Sequence, residues 1–177
     1  MYNWVSPKTS KRESHIGGYG LFATYYIRKG EKVVVWGGHI LRSSQLRELA
    51  VSTDGHETPV DISAVAVGRD FAIAKLHAEE LDGGDYINHS CNPNCGIDGR
   101  ITVVARRRIK PNEEITIDYA MVDLHLEYEF NCACGADSCR RVVTGNDWRR
   151  EDLQRKYRGY FARPIQQQID MQRVEPI

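Results

Sequence analysis

Short runs of β-branched and aromatic residues, each closed by Gly, Pro, Asn or Asp, recur along the first two thirds of the chain, at residues 31–40 (EKVVVWGGHI), 60–67, 70–76, 101–106 and 114–119. Runs of this length with such boundaries predict strands. Between the first two, Ser43 and Ser44 offer caps for a short helix continuing through Leu46, Leu49 and Ala50. Residues 82–99 are dominated by Gly, Asp, Asn, His, Cys and Pro, which predicts a structured loop and no regular element. A loop this long in a small domain is usually functional. After Gly145 the period changes: Asn146 or Asp147 can cap a helix, Glu151 and Asp152 suit its early turns, and Arg155, Lys156 and Arg158 lead to Gly159. Leu153, Tyr157, Tyr160 and Phe161 share one face of it, so this helix, with a second after Pro164, is expected to pack on the strands. The fold class is mainly β with some helix.

A chain of 177 residues accommodates one core with a modest appendage. Lys plus Arg and Asp plus Glu both total 24, so the whole-chain charge gives no reason to expect a nucleic-acid or anionic membrane partner. The basic run Arg106-Arg107-Arg108 with Lys110 is expected to be a solvated turn, and direct nucleic-acid binding is not expected. The polar first 14 residues and the lack of an apolar run able to span a bilayer predict an intracellular location, cytoplasmic or nuclear, and no membrane partner. Nothing in the pattern specifies an oligomeric state.

The sharpest chemical signal is Cys132-Ala133-Cys134 followed by Cys139, a C-x-C-x4-C knot. Three thiolates at that spacing suit zinc better than a disulfide framework, and tetrahedral zinc wants a fourth ligand, for which Cys91 and Cys95 both stand available. A second segment, Tyr86-Ile87-Asn88-His89-Ser90-Cys91-Asn92-Pro93-Asn94, presents amide and imidazole groups able to bind a polar ligand. A nucleophile at Ser90 or Cys91 activated by His89 is rejected, because such close neighbours rarely point at each other and no nucleophile elbow surrounds them. In Gly17-Gly18-Tyr19-Gly20-Leu21-Phe22-Ala23 the glycines mark a tight turn or a close backbone approach, without the third glycine of a dinucleotide fingerprint. Finally, Asn112-Glu113-Glu114-Ile115-Thr116-Ile117-Asp118-Tyr119 is a turn entering a strand that ends on a tyrosine.

Taken in order, these segments resemble the SET-domain family over about residues 12–148. The glycine segment resembles its GxG element, YINHSCNPN its NHSCxPN signature, EEITIDY its ELTYDY-type catalytic motif, and the cysteine knot its post-SET element. The resemblance implies a β-clip SET-domain fold in which the YINHSCNPN segment and the tyrosine-bearing EEITIDY segment cross as a pseudoknot, with a post-SET zinc knot and a C-terminal helix. The implied division is 1–124, 125–145 and 146–177. It also implies an S-adenosylmethionine-dependent protein-lysine N-methyltransferase acting on a protein or peptide lysine, such as a histone tail. Tyr119 would be catalytic, and Gly18, Tyr19, Gly20, Tyr86, Asn88 and His89 would hold the cofactor. Cys91, Cys132, Cys134 and Cys139 would hold a structural zinc, with Cys95 a bystander and Val142, Val143 or Trp148 over the adenine.

Methyl transfer to an amine needs a neutral lysine, aligned in line and desolvated by an apolar channel. The peptide is expected beside an exposed strand. Three departures from the family pattern stand out. Trp36-Gly37-Gly38 replaces a YxG segment, Ile117 replaces the aromatic two residues before the catalytic tyrosine, and residues 81–85 lack the usual Gly-Asn and Arg-Phe features. The competing reading is a catalytically silent, zinc-containing peptide-binding module, favoured by Trp36 and opposed by Asn88, His89 and Tyr119.

Overall fold

The computed structural model describes residues 2–51, 64–68, 70–122 and 128–174. Its strands are β1 (Trp4–Val5), β2 (Thr9–Glu13), β3 (Tyr19–Ala23), β4 (Lys32–Val35), β5 (His39–Arg42), β6 (Ala64–Ala66), β7 (Phe71–Ala74), β8 (Asn88–His89), β9 (Cys95–Asp98), β10 (Thr102–Ala105), β11 (Glu114–Ile117), β12 (Glu129–Asn131) and β13 (Val142–Thr144). The helices are α1 (Ser43–Val51), α2 (Glu151–Lys156) and α3 (Arg163–Val174). Among the described residues the strands form four small sheets, ordered β1-β4-β10-β9, β2-β3-β11-β8, β5-β7-β6 and β12-β13. Leu21, Val33, Val34, Val103 and Ile115 of the first two sheets are essentially without exposure, and the adjacent Val33 and Val34 show that β4 is covered on both faces. Among the described residues no helix is long and apolar enough to cross a membrane.

The run at 31–40 is not one strand. A Cβ on Gly37 would lie 2.5 Å from the Tyr2 carbonyl oxygen, and one on Gly38 2.6 Å from that of Ala74. These glycines let backbones pass closely, and the chain turns from β4 into the separate β5-β7-β6 sheet. The expected strand at 60–67 is realised as β6, with residues 60–63 outside the described residues, as is the boundary at 124/125. Helix α1 matches its expected span, but its serine cap does not form. Ser43 is the first helical residue with its Oγ unpartnered, and the Gln45 side chain accepts the Arg42 N–H instead, at 2.9 Å.

Residues 82–99 also depart from expectation, because β8 and β9 lie within them. Cys95 and Ile97 face the core from β9, which pairs with β10 from Thr102↔Asp98 to Ala105↔Cys95. Their polar neighbours hid the strand, and one of those neighbours stands in for a strand partner. Buried Asn94 donates to the Glu114 carbonyl at 2.6 Å and accepts the Thr116 N–H at 3.0 Å, continuing the edge of β11 with a side chain.

The C-terminal helices exchange their expected weights: α2 is only six residues and α3 twelve. Arg150 and not Asn146 or Asp147 occupies the α2 N-cap, because residues 147–149 form a 3-10 turn of their own. Pro164 sits in the first turn of α3, where its missing N–H costs nothing. Leu153, Tyr157, Phe161, Ile165 and Ile169 are buried, and Gly96 on β9 leaves room for Tyr160, whose Cβ would meet a Cβ there at 2.7 Å.

Candidate active site and metal centre

The parallel pairing of β8 with β11, Thr116↔Asn88 and Ile117↔His89, lays two distant polar segments side by side. On the other edge of β11, Glu114 and Ile115 pair with Phe22 and Leu21 of β3, bringing in the glycine segment. Side chains tie the three together. Asn88 Nδ2 donates to Glu114 Oε1 at 2.7 Å and to the Tyr19 carbonyl at 3.0 Å, while Ser14 Oγ donates to Glu114 at 2.8 Å. A Cβ on Gly20 would lie 2.2 Å from Glu114 Oε1, so this closeness depends on glycine. Gly18 has φ +48°, and open space faces it and Gly17. Tyr19, half exposed, meets Tyr86 edge-on at 6.0 Å, and Lys11 Nζ lies 3.6 Å from the Tyr86 ring centroid. Gly18, Tyr19, Gly20, Tyr86 and Asn88 are therefore brought together, with Gly20 buried on the inner side and Gly18 and Tyr19 at the surface.

Buried His89 faces the other way, into a partly buried aromatic group. Its Nδ1 accepts the Tyr119 N–H at 3.2 Å, and its ring meets Tyr119 at 5.2 Å and Phe130 at 5.7 Å. With Nδ1 accepting, Nε2 carries the proton and points at Cys91 Sγ, 3.4 Å away. The expectation that these close neighbours would point apart is thus wrong. The nucleophile stays excluded for a different reason, since an imidazole that donates toward Cys91 cannot take its proton. Burial holds the His89 pKa down at about 4, against the pull of Asp118, so the ring is neutral. The Tyr119 hydroxyl donates to the Ile87 carbonyl at 3.3 Å, adjacent to Asn88. Phe130, with Tyr128 stacked on it at 5.9 Å, walls this group, and neither belongs to a recognisable motif. Their only sequence signal is an aromatic pair just before the cysteine knot.

Four thiols, Cys91, Cys132, Cys134 and Cys139, lie within 4.8 Å of one another, with Cys91 and Cys132 sulfurs 3.9 Å apart. A tetrahedral zinc with Zn–S near 2.3 Å requires S···S separations of about 3.8 Å, so the donor set fits that ion. Burial opposes ionisation of Cys134, yet N–H groups of Cys91 and Ala136 bring its thiol down to about 6. The Arg140 N–H likewise points at Cys91 Sγ, at 3.3 Å. Cys95 stands apart, fully buried in the core, where desolvation raises its pKa.

The buried Asp118 carboxylate, adjoining Tyr119, connects these parts. Arg140, next to Cys139, forks onto it at 2.5 and 2.9 Å and reaches Asp147 at 2.9 Å. The Tyr157 hydroxyl donates to the same carboxylate at 2.8 Å and to the Cys91 carbonyl at 3.0 Å. Burial works against the Arg140 charge, but the Asp118 bonds outweigh it, and the guanidinium stays ionised. Asp118, Arg140, Tyr157 and Glu114 were all missed as site residues by sequence reasoning.

Residues 18–120 match the family model described as the SET domain. The chain belongs to the SET-domain family. It is 34% identical over 154 residues to human Histone-lysine N-methyltransferase 2B, covering 77% of this chain and 5% of that protein. It is 32% identical over 139 residues to Histone-lysine N-methyltransferase trr of Drosophila melanogaster, covering 72% and 5%, and 33% identical over 133 residues to Histone-lysine N-methyltransferase ASHH3 of Arabidopsis thaliana, covering 71% and 35%. The chain thus spans a minor part of each relative's length. Among solved structures, the methyltransferase domain of human Histone-lysine N-methyltransferase SETMAR superposes with a TM-score of 0.56 at 22% identity, over 77% of this chain and 58% of that one, a likeness of fold.

Within this SET domain the departures from the family pattern have structural occupants. Trp36 is buried and donates its indole N–H to the Gly84 carbonyl at 3.0 Å. Residues 82–85 form a capping box, Asp82 accepting from Gly84 and Asp85 accepting from the Asp82 N–H, and Asn3 donates to both carboxylates. The N-terminal segment therefore braces the approach to Tyr86. Ile117 is buried beside His89. Of the residues considered for the adenine, Val143 and Trp148 are buried, while Val142 is 41% exposed. Tyr157→Phe removes one donor from a buried carboxylate, so urea unfolding is expected to show a loss of about 1.5–3 kcal/mol; a loss below about 0.5 kcal/mol, the range of ordinary surface substitutions, would contradict the linking role of this hydroxyl.

Proposed function

We propose that this SET domain is a protein-lysine N-methyltransferase that uses S-adenosylmethionine, carries one structural zinc on Cys91, Cys132, Cys134 and Cys139, and modifies a protein lysine such as one in a histone tail. The observation that carries the reading is Tyr119, fixed by its amide to His89 and by its hydroxyl to the Ile87 carbonyl, one strand from Asn88 and the glycine segment. The relatives, each a histone-lysine N-methyltransferase by name, support the substrate class. The reduced thiols suit an intracellular setting, and a histone substrate a nuclear one. In the proposed division, residues 1–124 form the SET domain, 125–145 the post-SET segment and 146–177 the helical extension.

S-adenosylmethionine, when bound, supplies an electrophilic methyl group on a sulfonium centre. Gly18, Tyr19, Gly20, Tyr86 and Asn88 form its cradle, and His89 acts by holding the Tyr119 backbone. The substrate lysine must be neutral, although its unperturbed pKa is about 10.4. Aromatic walls at Tyr119 and Phe130 favour the neutral amine by desolvation. The Tyr119 hydroxyl and the Ile87 carbonyl then align the reacting groups. Cys91, Cys132, Cys134 and Cys139 would hold zinc with no position left for a reacting water, so the ion would serve to order the post-SET segment. The silent-module alternative loses its main support, because Trp36 is accommodated in the core with its N–H satisfied.

Tyr119→Phe is expected to lower turnover at least about a hundredfold while calorimetric cofactor affinity changes little, since the lost hydroxyl acts in the transition state; near-normal turnover refutes the assignment. Elemental analysis should give one zinc per chain, lost on Cys91→Ser and retained on Cys95→Ser; the reverse pattern would show the wrong fourth ligand. Ile117 offers no hydroxyl to hold a blocking water, so long incubation with excess cofactor should yield di- or trimethyl-lysine by mass spectrometry, and Ile117→Tyr should shift the product toward monomethyl. A wild-type reaction that stops at one methyl overturns this view of the pocket.

A further inference from the structure

Two basic segments distant in sequence meet across one antiparallel bridge. Ile27 N–H donates to the Ile109 carbonyl at 3.1 Å and Ile109 N–H to that of Ile27 at 2.9 Å, with both side chains fully buried. Side chains alternate along an extended segment, so the flanking residues Tyr26, Arg28, Arg108 and Lys110 turn outward, and all are exposed. Tyr26, Arg28 and Arg108 line an open concavity of about 1030 Å³ together with Lys8, Lys29, Gly30 and Glu31, and Lys110 lies two residues beyond Arg108 on the same outward side.

The backbone that carries the charges is fixed. Residues 28–31 form a tight turn with Gly30 at φ +80°, closed by Glu31 N–H to the Arg28 carbonyl at 3.0 Å and anchored by Gly30 N–H to the Ala105 carbonyl at 2.8 Å. The single lining acid, Glu31, spends its carboxylate on Lys8 at 2.5 Å and on the Arg28 N–H at 3.0 Å. Arg108 stacks over the Tyr26 ring, 4.1 Å from its centroid. Among the described residues Arg28, Lys29, Arg108 and Lys110 form no ion pair.

The run read from sequence as one solvated turn therefore divides into three roles. Arg106 clamps α2, donating to the Pro93 and Lys156 carbonyls and lying over the Tyr157 ring. Arg107 pairs with Glu113. Only Arg108 and Lys110 join the face built by Arg28 and Lys29.

We infer that this concave face binds the phosphate backbone of duplex nucleic acid without reading bases. The concavity is open and offers several cationic side chains, Arg28, Lys29 and Arg108, which suits a row of phosphates better than an enclosed site for a single anion. The chain is neutral overall, so its whole-molecule field cannot account for such binding, and the effect must be local. For a SET domain acting on histones, the face would engage the DNA that accompanies the substrate. Binding is measured without cofactor, so its outcome is independent of the methyl-transfer reading.

The test is fluorescence anisotropy of a labelled duplex of mixed sequence. Four phosphate contacts give an expected slope of log K against log salt of about −3.6. A variant carrying Arg28→Glu, Lys29→Glu and Arg108→Glu should bind at least about tenfold more weakly with a shallower slope, and keep its circular dichroism spectrum. Arg158→Glu, a reversal outside the concavity, should bind like the wild type. A second variant, Arg28→Gln with Lys29→Gln, gives an intermediate loss and guards against misfolding of the first. Absence of wild-type binding at low salt, equal loss in Arg158→Glu, or undiminished binding by both concavity variants would each overturn the inference.

Discussion

A carboxylate with no solvent exposure sits one residue before the proposed catalytic tyrosine, and the arrangement around it follows from the need to satisfy that charge. An unpaired buried carboxylate is costly, so every direction around Asp118 is occupied: the Arg140 fork, the Tyr157 hydroxyl and the Ala120 N–H. These donors come from the strand end, the segment after the cysteine knot and the C-terminal end of α2. The charge thus fixes where the last third of the chain must lie. Arg140 cannot reach Asp118 unless Cys139 lies beside Cys91, and Tyr157 cannot unless α2 lies over the Cys91 carbonyl, which also accepts from Lys156 Nζ at 2.6 Å. The metal centre and the tyrosine share one frame.

That frame explains why a thiol cluster away from the reacting atoms bears on the chemistry. His89 contacts Cys91 through Nε2 and holds the Tyr119 amide through Nδ1, so disorder among the cysteines reaches the tyrosine through a single ring. On the opposite edge of β11, Glu114 holds Asn88 and depends on Gly20 for room. Groups locked in this way by neighbouring hydrogen bonds keep the geometry that an in-line transfer demands.

Much of this was legible in the residues, and what was not has a physical reason. The cysteine spacing yields three ligands, because a knot is a local object; the fourth comes from a segment forty-one residues earlier, and only family resemblance picked Cys91 over Cys95. Strands 31–40, 70–76, 101–106 and 114–119 carry the β-branched signature and are found, though glycines split the first. Strand β9 and the β8–β11 pairing are not, since Asn94 and a two-residue parallel bridge leave no periodicity. Asp118, Arg140 and Tyr157 read as a motif flank, a basic neighbour and an apolar helix face. Their partnership spans separations of 22 and 39 residues, which no local pattern encodes.

If the buried pair organises the site, its members must be coupled and not merely adjacent. A double-mutant cycle of Asp118→Asn and Arg140→Gln, followed by urea unfolding of the zinc-loaded protein, measures that coupling directly. An interaction of about 2–3 kcal/mol is expected, toward the upper end for residues in one buried network. Additive losses, with coupling below about 0.5 kcal/mol, would contradict it and leave the post-SET segment and α2 held in place by packing alone.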